Sequence, residues 1–129
     1  LRLWLPLLVH GLAPFRAGGS RRAFNDNAIL RDVGSGNASR WAARRGPDRI
    51  VAGDFNLTVE SAIYRAHWSE CTNAFSRAGR GFGYTRILRR FAARIDHVLA
   101  CGAWTPVRAE VGPELGSDHR PVIVDLVKR

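Results

Sequence analysis

Three short segments in the second half of this chain carry side chains able to do chemistry. They are Gly53-Asp54-Phe55-Asn56, Arg94-Ile95-Asp96-His97 and Ser117-Asp118-His119-Arg120-Pro121. Each adjoins a short apolar run that reads as a buried strand, so each sets a carboxylate or an imidazole where a sheet edge meets solvent. Asp54 and Asn56 are two positions apart, and in an extended segment their side chains share one face. A carboxylate and an amide so placed can hold a water and a phosphoryl oxygen together. Taken alone, the same four residues read as a plain turn whose Asp or Asn caps the following helix.

Asp118 beside His119 offers a hard oxygen ligand for a divalent cation next to a group that transfers protons or contacts phosphate. A lone Asp-His pair is more commonly a surface loop. Asp96 is harder to dismiss, because a carboxylate inside an apolar strand is costly to bury without a partner. A histidine fixes that problem, and the carboxylate in turn fixes the tautomer of the histidine. His119 is the expected partner, since His97 should face the other side of the strand. His10 ends an apolar run before Gly11-Leu12-Ala13-Pro14 and reads equally as a proton donor or as filler, whereas His67 reads as structural. Together these groups point to metal-assisted phosphoester chemistry.

The elements that must position them alternate between helix and strand early and pair as strands late, which is a mixed α and β chain. Strands are expected over 3–9, 49–52, 84–88, 93–99, 104–111 and 121–127. Helices are expected over 21–33 and 38–45, interrupted by Gly34-Ser35-Gly36-Asn37, and again from an N-cap at Thr58 to about Trp68. Residues 69–83 read as loop anchored by Phe75 and Phe82.

The length of 129 residues allows one domain with one core. The net charge of +9 arises from 20 basic against 11 acidic residues, and Lys128 is the sole lysine. Arginine forks suit phosphate, although a bias this strong also follows from genomic base composition. The charge favours an anionic substrate or partner without selecting nucleic acid. Cys71 and Cys101 lie in no zinc spacing; they could form a disulfide, and two buried free thiols are the expectation favoured over it. The apolar start, Leu1–Val9, is far shorter than the roughly 20 residues a membrane helix needs. The absence of methionine, even at position 1, suggests a processed chain or a fragment.

The ordered set His10-Gly-Leu-Ala-Pro14, Val51-Ala-Gly-Asp-Phe-Asn56, Arg94-Ile-Asp-His97 and Gly116-Ser-Asp-His-Arg-Pro121 resembles the endonuclease/exonuclease/phosphatase superfamily. The resemblance implies an α+β fold, part of a four-layer α/β/β/α sandwich like that of deoxyribonuclease I. It implies hydrolysis of a phosphoester with Mg²⁺, or Mn²⁺ in its place. By resemblance, Asp54 activates the attacking water and Asn56 helps hold water and phosphate. Asp118 is a metal ligand, His119 polarises the scissile phosphate, Asp96 holds His119, and His10 assists the leaving group. The family also uses an asparagine and a glutamate from its N-terminal half, and no segment here resembles them. Residues 1–129 therefore read as the C-terminal portion of one domain, poorly active by itself.

The substrate expected is a phosphoester: a nucleic acid, a phospholipid or another phosphate ester. No protein partner is evident, and a monomer is expected. The cytoplasm is the favoured location, with a membrane anchor upstream as the other option. The competing reading is a non-catalytic, arginine-rich module that binds nucleic acid or anionic lipid on the same fold. A Ser117-His119-Asp96 hydrolase is set aside because Ser117 lacks a GxSxG elbow.

Overall fold

The computed structural model describes residues 2–4 and 21–129. Its elements are β1 (Arg2–Trp4), α1 (Arg21–Ala43), β2 (Ile50–Asp54), α2 (Ala62–Trp68), β3 (Thr72–Asn73), α3 (Ala74–Ala78), β4 (Arg86–Leu88), β5 (Phe91–Ala93), β6 (Asp96–Ala100), β7 (Trp104–Val111) and β8 (Val122–Lys128). Mixed helix and strand was the expectation, and the chain is α+β.

Every strand pairing among the described residues is antiparallel, in sheets ordered β1-β8-β7, β2-β6-β3 and β4-β5. The two larger sheets pack face to face. Val98 and Ala100 of β6 meet Ala109 of β7 and Val122, Val124 and Leu126 of β8, with Ala74 and Phe75 of α3 in the same cluster. The opposite face of the β2-β6-β3 sheet is covered by α2. There Leu99 and Cys101 join Leu57, Tyr64, Trp68 and Cys71. Strand β6 is thus buried on both faces along its whole length, its apolar half Val98-Leu99-Ala100 in the two cores and its polar start Asp96-His97 buried with partners. Strand β8 alternates instead, burying Val122, Val124 and Leu126 and turning the residues between them outward.

Four expectations need correction. The Gly34-Ser35-Gly36-Asn37 segment does not interrupt the helix, which runs unbroken from Arg21 to Ala43. Glycine weakens a helix by about 1 kcal/mol but remains able to adopt helical dihedrals. Here Gly36 is buried where α1 meets α2, and a Cβ on it would lie 3.2 Å from the His67 ring. The second helix is capped by Ser61 rather than Thr58, and the Ser61 hydroxyl accepts from the Tyr64 amide at 3.0 Å. The 69–83 segment holds β3 and α3, with Phe75 buried but Phe82 78% exposed, so Phe82 does not anchor the segment to the core and only stacks on Tyr84.

The fourth correction concerns the cysteines, which are bonded to each other. Thr72 lies opposite Ala100 in the β3–β6 ladder, and the same antiparallel register continued by one residue sets Cys71 against Cys101. Their Cα atoms are 4.6 Å apart, the spacing of a directly opposed pair on neighbouring antiparallel strands. Cysteine spacing along the chain carries no trace of this.

Two further boundaries differ in detail. The strand expected over 93–99 is two, β5 and β6, with Arg94 and Ile95 between them. Of the strand expected over 3–9, residues 3 and 4 fall in β1 and the remainder lies outside the described residues.

Candidate functional site

The site begins with a register. Strands β2 and β6 pair so that Asp54 lies directly opposite Asp96, at the end of the ladder, and Gly53 opposite His97. Directly opposed residues send their side chains to the same face. Two carboxylates are therefore side by side, on the face away from His97. Pairing persists one step further, because the Phe55 amide donates to the Ile95 carbonyl at 2.9 Å. The Phe55 ring then turns into the core and meets Trp68 and His97 edge-on, at centroid distances of 4.9 and 5.3 Å.

Asn56 reaches the site by a different route from strand alternation. Strand β2 ends at Asp54, and Asn56 takes a left-handed φ of 50°. In that conformation its amide N–H donates to Asp54 Oδ1 at 2.8 Å and its Nδ2 donates to Asp54 Oδ2 at 3.1 Å. Asparagine tolerates this backbone better than most residues. The segment is a turn, but neither Asp54 nor Asn56 caps the following helix, which Ser61 does; the turn instead folds the Asn56 amide onto the Asp54 carboxylate.

His119 completes the cluster. Its Nδ1 is 2.8 Å from Asp96 Oδ2, and both side chains are about 95% buried. Asp96 thus bonds His119, as facing had suggested, and His97 is occupied elsewhere. His97 Nε2 donates to the Leu57 carbonyl at 2.8 Å, while Asn73 Nδ2 donates to His97 Nδ1 at 3.1 Å. Asn73 Nδ2 also donates to the Tyr64 hydroxyl at 2.9 Å, and its Oδ1 caps α3 through the Ser76 amide. Burial drives the pKa of His97 down to about 4, so it is a neutral packing residue behind the site.

Burial acts on Asp96 in the opposite sense and raises its pKa. The hydrogen bond to His119 pulls it back, and the neighbouring Asp54 charge raises it again. Asp96 Oδ1 is buried with no hydrogen-bond partner. An orphaned carboxylate oxygen next to a second carboxylate is a position that a cation would satisfy. Ligand atoms of Asp54, Asp96 and His119 all lie within 4.8 Å of one another. Two hard oxygens and an imidazole in that space fit a divalent cation.

Asp118, expected as the metal ligand, stands outside this trio. Its side chain is 64% exposed and pairs with Arg86 at 3.3 Å. The loop that carries it is tied to β4 by an isolated Arg86–His119 bridge and by the Arg120 amide, which donates to the Thr85 carbonyl at 2.7 Å. His10 lies outside the described residues.

Thr85 is the site residue that sequence reasoning missed. It is fully buried, and its Oγ1 accepts from the backbone amides of Ile95 and Asp96 at 3.1 and 3.2 Å. Its own amide donates to the Ala93 carbonyl. One side chain and its backbone thereby join β4, β5, the start of β6 and the His119 loop. The available signal was a small polar residue set in Gly81-Phe-Gly-Tyr-Thr85 between two glycines and a strand, which has no periodicity to read.

Comparison with known proteins places this geometry. A model of the endonuclease/exonuclease/phosphatase family matches residues 18–119. Among solved structures, the chain is similar to an endonuclease/exonuclease/phosphatase family protein of Bacteroides thetaiotaomicron. The TM-score is 0.64 with 21% identity over 77% of this chain and 45% of that one. A protein of Bacteroides vulgatus with the same family description gives a TM-score of 0.62 at 23% identity, over 76% of this chain and 45% of that one. The chain thus spans under half the length of either structure. A comparison with curated proteins finds no match.

Proposed function

This chain belongs to the endonuclease/exonuclease/phosphatase family, and we propose that it carries half of the active site of a divalent-metal-dependent phosphoester hydrolase. The observation that supports this most is the buried Asp96–His119 pair lying beside Asp54 within one 4.8 Å cluster. Burying the Asp96 carboxylate and the His119 imidazole beside a second, half-buried carboxylate costs stability.

In the proposed reaction a water oxygen forms a bond to phosphorus on the side opposite the leaving group, and Asp54 takes its proton. The ester P–O bond breaks, and its electron pair leaves with the departing oxygen. Asn56 sits against Asp54 and offers an amide to the water or a phosphoryl oxygen. Asp96 fixes Nδ1 of His119, so that Nε2 is the nitrogen left for the scissile phosphate. Asp96, through its unpartnered Oδ1, would hold the cation beside Asp54, and the cation would supply neutralisation of the charge developing on the phosphoryl oxygens. The proposed leaving-group role of His10 rests on the sequence resemblance.

The test is turnover of phosphomonoesters and phosphodiesters by the full-length protein, stripped with EDTA and then given Mg²⁺ or Mn²⁺. Hydrolysis that disappears on stripping and returns with the cation is the expected result. Salt-sensitive binding of nucleic acid or anionic vesicles with no hydrolysis under any metal would favour the binding-module reading instead.

A further inference from the structure

The Cys71–Cys101 pair lies at the end of β6 remote from Asp96, and it carries information that the reaction does not. Strand β3 is two residues long and pairs with β6 at two positions only. Yet it delivers Asn73, which holds His97, Tyr64 and the start of α3 at once. Two ladder positions are a weak attachment for a residue with three partners. The cross-link immediately before β3 supplies what the ladder lacks, closing a loop with a sequence separation of 30.

The bond is also sheltered. Cys71 and Cys101 are 8% and 4% exposed and pack with Leu57, Tyr64, Trp68 and Leu99. The Arg49–Glu70 ion pair lies alongside, with Arg49 Nη2 3.9 Å from Cys71 Sγ. Neither cysteine touches the Asp54–Asp96–His119 cluster, so the bond has no part in the reaction. It is built as a structural disulfide, and such bonds form and persist where thiols are oxidised.

We infer that Cys71–Cys101 is a permanent structural disulfide and that this domain matures and works in an oxidising compartment outside the cytoplasm. This reverses the cytoplasmic location favoured by the sequence. In forming the bond, each thiol gives up one proton and one electron. A disulfide-bearing oxidant of that compartment accepts both electrons and both protons and departs as a dithiol. The inference holds whether or not the site hydrolyses phosphoesters.

The test is thiol trapping on the full-length protein in the cells that make it. Cells are quenched in acid and alkylated under denaturing conditions, and the protein is digested for mass spectrometry. Recovery of Cys71 and Cys101 as one cross-linked, unalkylated peptide pair is expected. Recovery of either cysteine mainly as the alkylated thiol overturns the inference. A second readout uses purified protein with and without dithiothreitol. Breaking a cross-link over a loop of this size should lower the melting temperature by about 10 °C. An unchanged melting temperature with the thiols shown to be free would contradict the structural role.

Discussion

Asp54 and Asp96 face each other across the β2–β6 ladder, on adjacent strands and on one face of the sheet. Fold and chemistry meet in that pair. The register that buries Val98 and Leu99 in the two apolar layers and packs Val51 against the second forces the two carboxylates together at the ladder end. Like charges so placed oppose folding, and the sheet tolerates them because the rest of β6 is buried on both faces.

The raised pKa of Asp96 has a measurable sign. A folded-state carboxyl pKa above its unfolded value favours the folded protein while the group is protonated, and that advantage is lost as pH rises through the folded pKa. Asp96→Asn removes the titration. Its stability relative to wild type should therefore improve as pH rises from the acid range to neutrality, as denaturant melts at a series of pH values would record. A difference that is flat with pH would show that burial does not govern Asp96.

His97 acts with the opposite sign. Its pKa is lowered from 6.5 to about 4 by burial, so the stability it contributes is complete above 6.5 and is lost as pH falls toward 4. The difference amounts to about 3 kcal/mol across that window. His97→Gln should flatten this part of the pH–stability curve while lowering stability at neutral pH.

Thr85 should behave as a positioning residue. Thr85→Val keeps the shape, removes the oxygen that accepts from Ile95 and Asp96, and should cost about 1–3 kcal/mol. In the full-length protein, turnover should fall at least tenfold through misplacement of Asp96. Thr85→Ser, which keeps the hydroxyl, should recover most of both. Equal loss in the two variants would point to packing by the methyl group instead.

Gly34 tests the continuous helix. It lies inside α1 with open space where a Cβ would go. Gly34→Ala should raise stability by about 0.5–1 kcal/mol. A loss would mean that the segment is not helical in solution, as the sequence alone had suggested.

Much of the architecture was legible from period and punctuation. The 104–111 strand was bounded by a Cys101-Gly102 turn and a Gly112 loop, and β7 has those limits. The 121–127 alternation gave β8 to within one residue. The facing argument that paired Asp96 with His119 instead of His97 relied on the two-residue strand period, which holds across a strand as regular as β6. What was not legible depends on long-range placement. The disulfide follows from the register of a two-residue strand. Asn56 meets Asp54 through a left-handed turn, not an extended one. Thr85 acts through four segments brought together by the tertiary fold. Asp118 is held by Arg86, a pairing between residues more than thirty apart in the chain.

The central claim is that Asp96 and His119 form a working pair beside Asp54 at a phosphoester. Its most direct test is the turnover of full-length Asp96→Asn and His119→Ala against wild type, on whichever phosphoester the intact protein hydrolyses, with the fold of each variant checked by circular dichroism. The account predicts folded proteins whose kcat falls at least a hundredfold in each case. Near wild-type rates in either folded variant would contradict it.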